Sequence, residues 1–258
     1  MRVELLGGFI NNVCLVDGVV RKEYAGDEKV DKTGRERMRR EGLALRHFYP
    51  LGIAPQLFSQ NDNCLLQEFV EGVNLENLLP NLMDKEKEEL FRRLGIILHR
   101  IHTPLRRNPL YLKEDLEKKW GRALMKIKRD NYFNLASLKL REIDWSEVFR
   151  LGTRRVHRDF WPGNVIITPE GEIKVIDWEL AGFGSPYEDF AILKLWTFPN
   201  QGKKVRSAFW EGYGQEPNNE VTNAFLQRRL IQFLSTYKGE DPIGFYRNKW
   251  ELLLELSQ

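Results

Sequence analysis

The sequence predicts an α+β protein in which short strands come first and helices follow. Apolar runs of strand length occupy the chain before residue 70, and Asp17-Gly18 between two of them is a two-residue hairpin signal. From Asp84 onward, apolar residues recur at the three- and four-residue spacing of amphipathic helices. One further hairpin, at residues 165–176, interrupts this helical part. The 258 residues suffice for one large domain or for two small lobes that share a cleft.

Local composition sets the individual elements. Apolar and β-branched residues between turn residues mark the strands, and apolar residues that repeat on one face mark the helices. Met38, Leu45 and Phe48 are available for the buried side of the first helix. In chain order, the predicted elements are strands at 3–9, 13–16 and 19–24, a helix at 34–48, a strand at 63–69, helices from residue 84 and at 112–127, the hairpin at 165–176, and helices in the remainder, including 225–234 and 250–256.

Composition and charge argue against several classes of protein. The 40 basic and 37 acidic residues leave a net charge of +3, whereas a dedicated nucleic-acid binder shows a concentrated basic face. The basic run at residues 35–40 is interpreted as a solvated helix face. No apolar stretch is long enough to span a bilayer, and no signal peptide is recognised. Cys14 and Cys64 lack Cys or His neighbours at zinc-ligand spacing. A cytoplasmic protein without membrane or nucleic-acid partners is therefore expected.

Three polar side chains are predicted to meet at the open end of the 165–176 hairpin. Asp159 and Asn164 lie five residues apart on a loop, and Asp177 follows thirteen residues after Asn164. Pro and Gly in the turn at 168–171 suit a type I turn, which brings the two ends of the hairpin together. Because Mg²⁺ prefers oxygen ligands, Asn164 and Asp177 are predicted to bind it. Asp159 is predicted to accept or orient the proton of an attacking hydroxyl.

These motifs resemble those of a known enzyme family. His157-Arg158-Asp159-Phe160-Trp161-Pro162-Gly163-Asn164 and Ile176-Asp177-Trp178-Glu179 are similar to the two acidic motifs of the aminoglycoside phosphotransferase and choline kinase family, in the protein-kinase-like superfamily. The resemblance implies a two-lobed fold, with a small mainly-β N-terminal lobe at 1–70, a hinge at about 67–72 and a larger mainly-α C-terminal lobe at 73–258. It also implies ATP and Mg²⁺ as cofactors, and transfer of the γ-phosphate to a hydroxyl of an amino alcohol, aminoglycoside or sugar-like molecule.

The resemblance also implies residues that bind the phosphates of the nucleotide. Gly7 and Gly8, with Asn11 after them, look like the family's nucleotide loop, where glycines let backbone amides approach phosphates. The phosphate-holding cation is Arg21 or Lys22, which strand alternation sends to opposite faces. The family's pattern of two aliphatic residues followed by Arg favours Arg21.

Further roles follow from the same resemblance. The helix carboxylate that pairs with the strand cation maps to Glu41, with Glu36 as the fallback. Adenine is expected against main-chain groups near Glu68 and Val70.

Four other residues receive supporting or substrate roles. His157 is interpreted as a structural histidine that is hydrogen-bonded to neighbouring main chain. Asp189 is expected to bind the main-chain amides of the catalytic loop and so to hold that loop in shape. Trp161 and Glu179 each flank a catalytic group, so both are predicted to form the wall of the acceptor pocket.

Two other functions stay open: a nucleotide-binding pseudokinase that acts as an interaction module, and an atypical protein kinase. Only nine residues separate Asp177 from Tyr187, too few for a long activation loop that docks a peptide. The complete set of Asp159, Asn164 and Asp177 favours an enzyme over a pseudokinase. The choice between ATP and GTP also stays open.

Overall fold

The computed structural model describes residues 3–5, 11–24, 34–104, 113–118, 121 and 143–236. Within these ranges, no helix is both long enough and apolar enough to cross a membrane. The chain divides into two compact units, described separately below. Unit 1 comprises Met1–Ile101, His157–Gly182 and Trp196–Gln215, and unit 2 comprises His102–Val156, Phe183–Leu195 and Glu216–Gln258. Neither unit ends near residues 67–72, where the boundary between two lobes was expected, so that boundary stays a prediction.

The described strands form three small sheets. A five-stranded antiparallel sheet has the order β1-β2-β3-β5-β4, a second sheet has the order β6-β8-β9, and β7 pairs with β10. The strands are β1 (Val3–Leu5), β2 (Asn12–Val16), β3 (Val19–Glu23), β4 (Leu57–Gln60), β5 (Cys64–Glu68), β6 (Val73–Asn74), β7 (Arg154–Val156), β8 (Val165–Ile167), β9 (Ile173–Val175) and β10 (Gly182–Gly184).

The described helices account for most of the remaining regular structure. Residues 34–48 form a helix with the bounds that the sequence predicted, and its buried side includes Met38, Leu45 and Phe48. The helices are α1 (Gly34–Phe48), α2 (Leu75–Leu78), α3 (Asp84–Ile101), α4 (Trp145–Leu151), α5 (Tyr187–Ile192), α6 (Lys203–Tyr213) and α7 (Asn219–Thr236), and residues 113–118 and 121 are also helical.

In unit 1, both predicted hairpins are present. Asp17 and Gly18 have φ angles of 50° and 84°, the positive values that a tight two-residue hairpin turn requires. In the second hairpin, Val165 lies opposite Val175, and the Gly171 amide donates to the Thr168 carbonyl at 2.8 Å. The chain therefore returns to the level of residue 164 when it reaches residue 176.

Two glycines let helices α3 and α6 of unit 1 approach closely. A Cβ added at Gly95 would lie 2.1 Å from the Phe209 carbonyl oxygen, and one at Gly212 would lie 1.9 Å from the Arg92 carbonyl oxygen. His99 Nδ1 also lies 2.8 Å from the Tyr213 carbonyl oxygen. The two helices thus pack with their backbones in direct contact.

Unit 2 has a core of its own around helix α5. Tyr187 and Phe190 are fully buried there, and the ring of Tyr187 contacts that of Phe225 on α7 with centroids 5.5 Å apart. His102 Nε2 lies 2.9 Å from Asp189 Oδ2, and both side chains are buried. The predicted helix at 250–256 and most of the one at 112–127 fall outside the described residues.

Candidate active site

His157 ties the catalytic loop, residues 157–164, to the end of the hairpin. Its ring is fully buried, and Nε2 lies 3.1 Å from the Ile176 carbonyl oxygen. The amide of Asp159 donates to Nδ1 at 3.2 Å. Since a backbone amide can only donate and a carbonyl can only accept, Nδ1 accepts from Asp159 and Nε2 donates to Ile176. The ring also contacts Trp178 at 4.5 Å. His157 therefore acts here as a bridge between two backbone segments.

Asp159 and Asn164 contact each other directly. Asn164 Nδ2 donates to the Asp159 carbonyl oxygen at 2.9 Å and to its Oδ2 at 2.8 Å. The amide nitrogen of Asn164 thus faces the loop, and Oδ1 is the atom left to act as a metal ligand. The Ile176 amide donates to the Asn164 carbonyl at 3.0 Å, which joins the loop to the strand that precedes Asp177.

Lys22 brings three carboxylates together. Its Nζ lies 2.5 Å from Asp177 Oδ1, 2.8 Å from Glu41 Oε2 and 3.5 Å from Glu179 Oε2. Burial opposes the charge on Lys22, but the carboxylates of Glu41, Asp177 and Glu179 outweigh it and raise the pKa of the ammonium. Burial likewise opposes ionisation of Asp177, yet the Lys22 charge lowers its pKa. Strand β3, helix α1 and the end of the hairpin therefore meet at the Lys22 ammonium.

The sequence favoured Arg21 over Lys22 as the phosphate-holding cation, but the side chain that contacts Glu41 is Lys22, and which of the two holds the phosphates stays a prediction. Arg21 is exposed, and its guanidinium pairs with Glu23 on the same strand at 2.5 Å. Because side chains alternate along β3, Lys22 shares the buried face with Val20, while Arg21 points to the other face.

Glu41 has the position that the sequence predicted for the helix carboxylate. Besides Lys22, the Tyr24 hydroxyl donates to its Oε2. Burial raises the pKa of the Glu41 carboxyl against the opposing pull of Lys22, and it raises the pKa of Tyr24 as well. The fallback residue, Glu36, instead pairs with Arg40 one turn along α1.

Glu179 lies inside this charged cluster, although it was predicted to line the acceptor pocket. Its Oε2 accepts from Asn11 Nδ2 at 2.5 Å, and Arg37 lies 3.5 Å from both carboxylate oxygens. Arg37 is only 1% exposed, so the basic run at 35–40 is not entirely a solvated face. One sequence signal indicated this, because Arg37 precedes Glu41 by four residues and so shares its side of α1.

Two tryptophans near the catalytic loop have different environments. Trp178 is fully buried and stacks on Phe48 with ring centroids 4.5 Å apart, which makes it a core residue. Trp161 is half-buried and lies 6.1 Å from the Trp196 ring. Its ring covers Gly163, where an added Cβ would come within 2.2 Å of it, so a larger residue at this position would require the indole to move.

The remaining predicted site residues are placed less directly. Gly7 and Gly8 lie outside the described residues. Glu68 ends β5, with its amide donating to the Gln56 carbonyl at 2.8 Å, and the half-buried Val70 follows, but their contacts with adenine stay a prediction. Asp189 contacts His102, a partner that sequence reasoning did not identify, and its expected contact with the catalytic-loop amides also stays a prediction.

The oxygen atoms present fit a magnesium–nucleotide site. The side chain of Asp177 is 39% exposed, so one face of the carboxylate is accessible, and Asn164 offers its Oδ1. Carboxylate oxygens of Glu41, Asp177 and Glu179 lie within 4.8 Å of one another, with the Lys22 ammonium against all three. Mg²⁺ typically takes one or two protein carboxylates and completes its octahedron with phosphate and water oxygens. Asp177 offers such a carboxylate, and Asn164 would add an amide oxygen.

Comparison with solved structures identifies the fold. The choline kinase LicA from Streptococcus pneumoniae superposes with a TM-score of 0.70 and 19% identity, covering 100% of this chain and 93% of that chain. ADP-bound aminoglycoside phosphotransferase APH(2'')-Ib gives 0.71 and 19%, covering 100% and 93%. The streptomycin–ATP–APH(2'')-IIa complex gives 0.68 and 17%, covering 99% and 91%. The chain thus has the two-lobed α+β protein-kinase-like fold that the sequence predicted.

Sequence comparison points the same way. No curated protein matches the chain significantly. The model of the phosphotransferase enzyme family matches residues 3–225, which is most of the sequence and includes every residue of the charged cluster and the catalytic loop. The chain therefore belongs to the phosphotransferase enzyme family and is a small-molecule kinase, the family and enzyme class that its motifs predict.

Proposed function

We propose that the chain transfers the γ-phosphoryl group of ATP, bound with Mg²⁺, to a hydroxyl of a small molecule such as an amino alcohol, an aminoglycoside or a sugar. The observation that carries this proposal is the Lys22 ammonium, held between Glu41 and Asp177. The names of the similar structures support it, since they include a choline kinase, aminoglycoside phosphotransferases and complexes with ATP and ADP.

The nucleotide end of the site follows from the charges. Lys22 would hold the α- and β-phosphates while Glu41 fixes its position, and Asn164 and Asp177 would bind Mg²⁺. The bound ion neutralises charge on the phosphate oxygens. Gly7 and Gly8 would let backbone amides approach the phosphates, with Asn11 at the end of this loop.

Asp159 would assist the chemical step. The acceptor hydroxyl oxygen forms a bond to the γ-phosphorus as the bond from that phosphorus to the ADP oxygen breaks, and the hydroxyl proton passes to the Asp159 carboxylate. The bond from Asn164 Nδ2 to Asp159 Oδ2 helps to orient that carboxylate. Positioned proton transfer of this kind contributes roughly 10²–10⁴-fold to the rate.

One structural feature favours an amine-bearing acceptor. Trp161 and Trp196 are neighbouring, half-buried aromatic residues next to the catalytic loop. The faces of indole rings attract organic cations. Since Glu179 is enclosed by Asn11, Lys22 and Arg37, this pair of tryptophans is the stronger candidate for the pocket wall.

The test is a panel of amines, amino alcohols, aminoglycosides and sugars, scored by ADP release with ATP or GTP as the donor. With the best acceptor, Asp159→Asn is expected to lower kcat by roughly 10²–10⁴-fold and to change the KM for ATP little. The matched control is Asp62→Asn, at an exposed position in the loop between β4 and β5, which should behave as wild type.

Three outcomes would contradict the proposal. An unchanged kcat in Asp159→Asn would remove the residue from this role. ATP binding without turnover of any acceptor would favour a pseudokinase, and phosphorylation of protein but not of metabolites would favour a protein kinase.

A further inference from the structure

One asparagine outside the predicted site uses both ends of its side-chain amide. Asn74 Oδ1 accepts from the Glu76 amide at 2.9 Å, which caps the N-terminus of helix α2. Its Nδ2 donates to the Gly163 carbonyl oxygen at 2.7 Å. The cap explains why an Asn is suitable at the start of α2, but it leaves the second bond unexplained.

That second bond fixes the peptide group next to a candidate metal ligand. The Gly163 carbonyl and the Asn164 amide belong to the same planar peptide unit. Asn74 holds the carbonyl side of this unit, and the Trp161 carbonyl accepts from the Asn164 amide at 2.9 Å on the other side. A planar group held at both edges cannot rotate, so the backbone that carries the Asn164 side chain has a defined orientation.

The pairing of strands β6 and β8 places Asn74 next to Gly163. Strand β6 pairs with β8, with Asn74 opposite Ile166 and Val73 opposite Ile167. Just before β6, Gly72 has a φ of 148°, and a Cβ there would lie 2.3 Å from the Ile167 carbonyl oxygen. Only glycine permits this approach, so the segment that follows β5 runs directly against β8, the strand that comes after the catalytic loop.

We propose that Asn74 is a positioning residue for the metal site, acting through Asn164. The Asn74 side-chain amide links the segment after β5 to the peptide unit between Gly163 and Asn164, and so fixes the orientation of that unit. The inference rests on the proposed function, because it assumes that Asn164 binds the divalent ion of the nucleotide complex.

Two substitutions separate the two roles of Asn74. Asn74→Ser keeps a capping oxygen for α2 but removes the amide donor that reaches Gly163. Asn74→Ala removes both functions. Asn81→Ser is the matched control, since Asn81 is exposed and its amide makes one long contact, at 3.4 Å to the nearby Asn77 carbonyl, among the described residues.

The decisive measurement is the affinity of the ATP-loaded protein for Mn²⁺, used as a paramagnetic substitute for Mg²⁺ and followed by electron paramagnetic resonance. Asn74→Ser should bind Mn²⁺ about three- to tenfold more weakly, the equivalent of one hydrogen bond. Its affinity for metal-free ATP should match wild type, and its Tm should fall less than that of Asn74→Ala because the cap of α2 is kept. Asn74→Ala should show the same loss for Mn²⁺ and a Tm lower by about 2–4 °C. Asn81→Ser should match wild type throughout.

Wild-type Mn²⁺ affinity in Asn74→Ser would overturn the inference and reduce Asn74 to a helix cap. A Tm loss in Asn74→Ala without any loss of Mn²⁺ affinity would do the same. Failure of the wild-type protein to bind Mn²⁺ with ATP would instead overturn the proposed function, and with it the assignment of Asn164.

Discussion

A buried ammonium, that of Lys22, lies among three carboxylates at the centre of the site. Two cations, Lys22 and Arg37, lie against the carboxylates of Glu41, Asp177 and Glu179. Desolvated charges are costly unless each has a partner of opposite sign. Lys22 contacts all three carboxylates, so its removal would leave them facing one another across a few ångströms.

Lys22→Met should therefore abolish ATP binding and lower the free energy of unfolding. Breaking a buried ion pair by removing one partner costs about 3–5 kcal/mol. Arg21→Met, the same substitution on the next residue of β3, should leave both properties unchanged because Arg21 is exposed. Urea denaturation and calorimetric ATP titration of the two variants provide the comparison. A larger effect of Arg21→Met than of Lys22→Met would reverse the assignment.

The difference between these two residues shows where inference from sequence ends. The contact between Asp159 and Asn164 was predictable because the two residues lie only five positions apart on one short loop. Which face of β3 is buried could not be predicted, because Arg21 and Lys22 fit the alternating strand pattern equally well. The packing of α1 against the sheet decides that Lys22 is the buried one. The contact between Arg37 and Glu179 joins residues 142 positions apart and left only the weak signal of a shared helix face.

Among the elements, the crossing of helices α3 and α6 has the closest backbone approaches to any glycine in the part of the chain that the structure describes. At Gly95 and at Gly212, the backbone of the opposite helix occupies the space that a side chain would need. In sequence, a glycine within a helix only indicates lower helix propensity. Here each glycine makes room for the neighbouring helix, which is a tertiary contact. The sequence predicted both helices but could not predict that they touch at these glycines.

Gly95→Ala is expected to destabilise the protein by about 1–3 kcal/mol, the usual cost of overpacking a close contact. The added methyl would meet the Phe209 carbonyl, which cannot move without disturbing α6. Ser207→Ala, at an exposed position on α6, is the control and should be neutral or slightly stabilising. Urea denaturation followed by circular dichroism measures both. Equal stability of the two variants would show that the helices separate at no cost.

For the protein as a whole, the groups proposed to bind the nucleotide all belong to unit 1. This holds for Lys22, Glu41, Asp159, Asn164 and Asp177. The interior of unit 2, around helix α5, contains none of them. A ligand that binds the native form stabilises the part of the structure that forms its site.

ATP with Mg²⁺ should therefore slow amide hydrogen exchange in unit 1 more than in unit 2. At a ligand concentration of 100 Kd, the gain is about 2.7 kcal/mol for amides that exchange through unfolding of the binding unit. Strands β3, β5, β8 and β9 should show this protection, and α7 should show little. Mass spectrometry of exchanged peptides provides the measurement. Equal protection of α7 would mean that the two units unfold together.

The acidic partners of Lys22 lie in distant parts of the sequence, and this limits which chimeras with related enzymes can form the site. Glu41 travels with the first 70 residues, but Asp177 and Glu179 come from much later in the sequence. A chimera that grafts residues 1–70 onto another kinase would import an ammonium whose counter-charges the host must already possess. Exchange of modules at the expected hinge is thus restricted to hosts with acidic groups at both of those places.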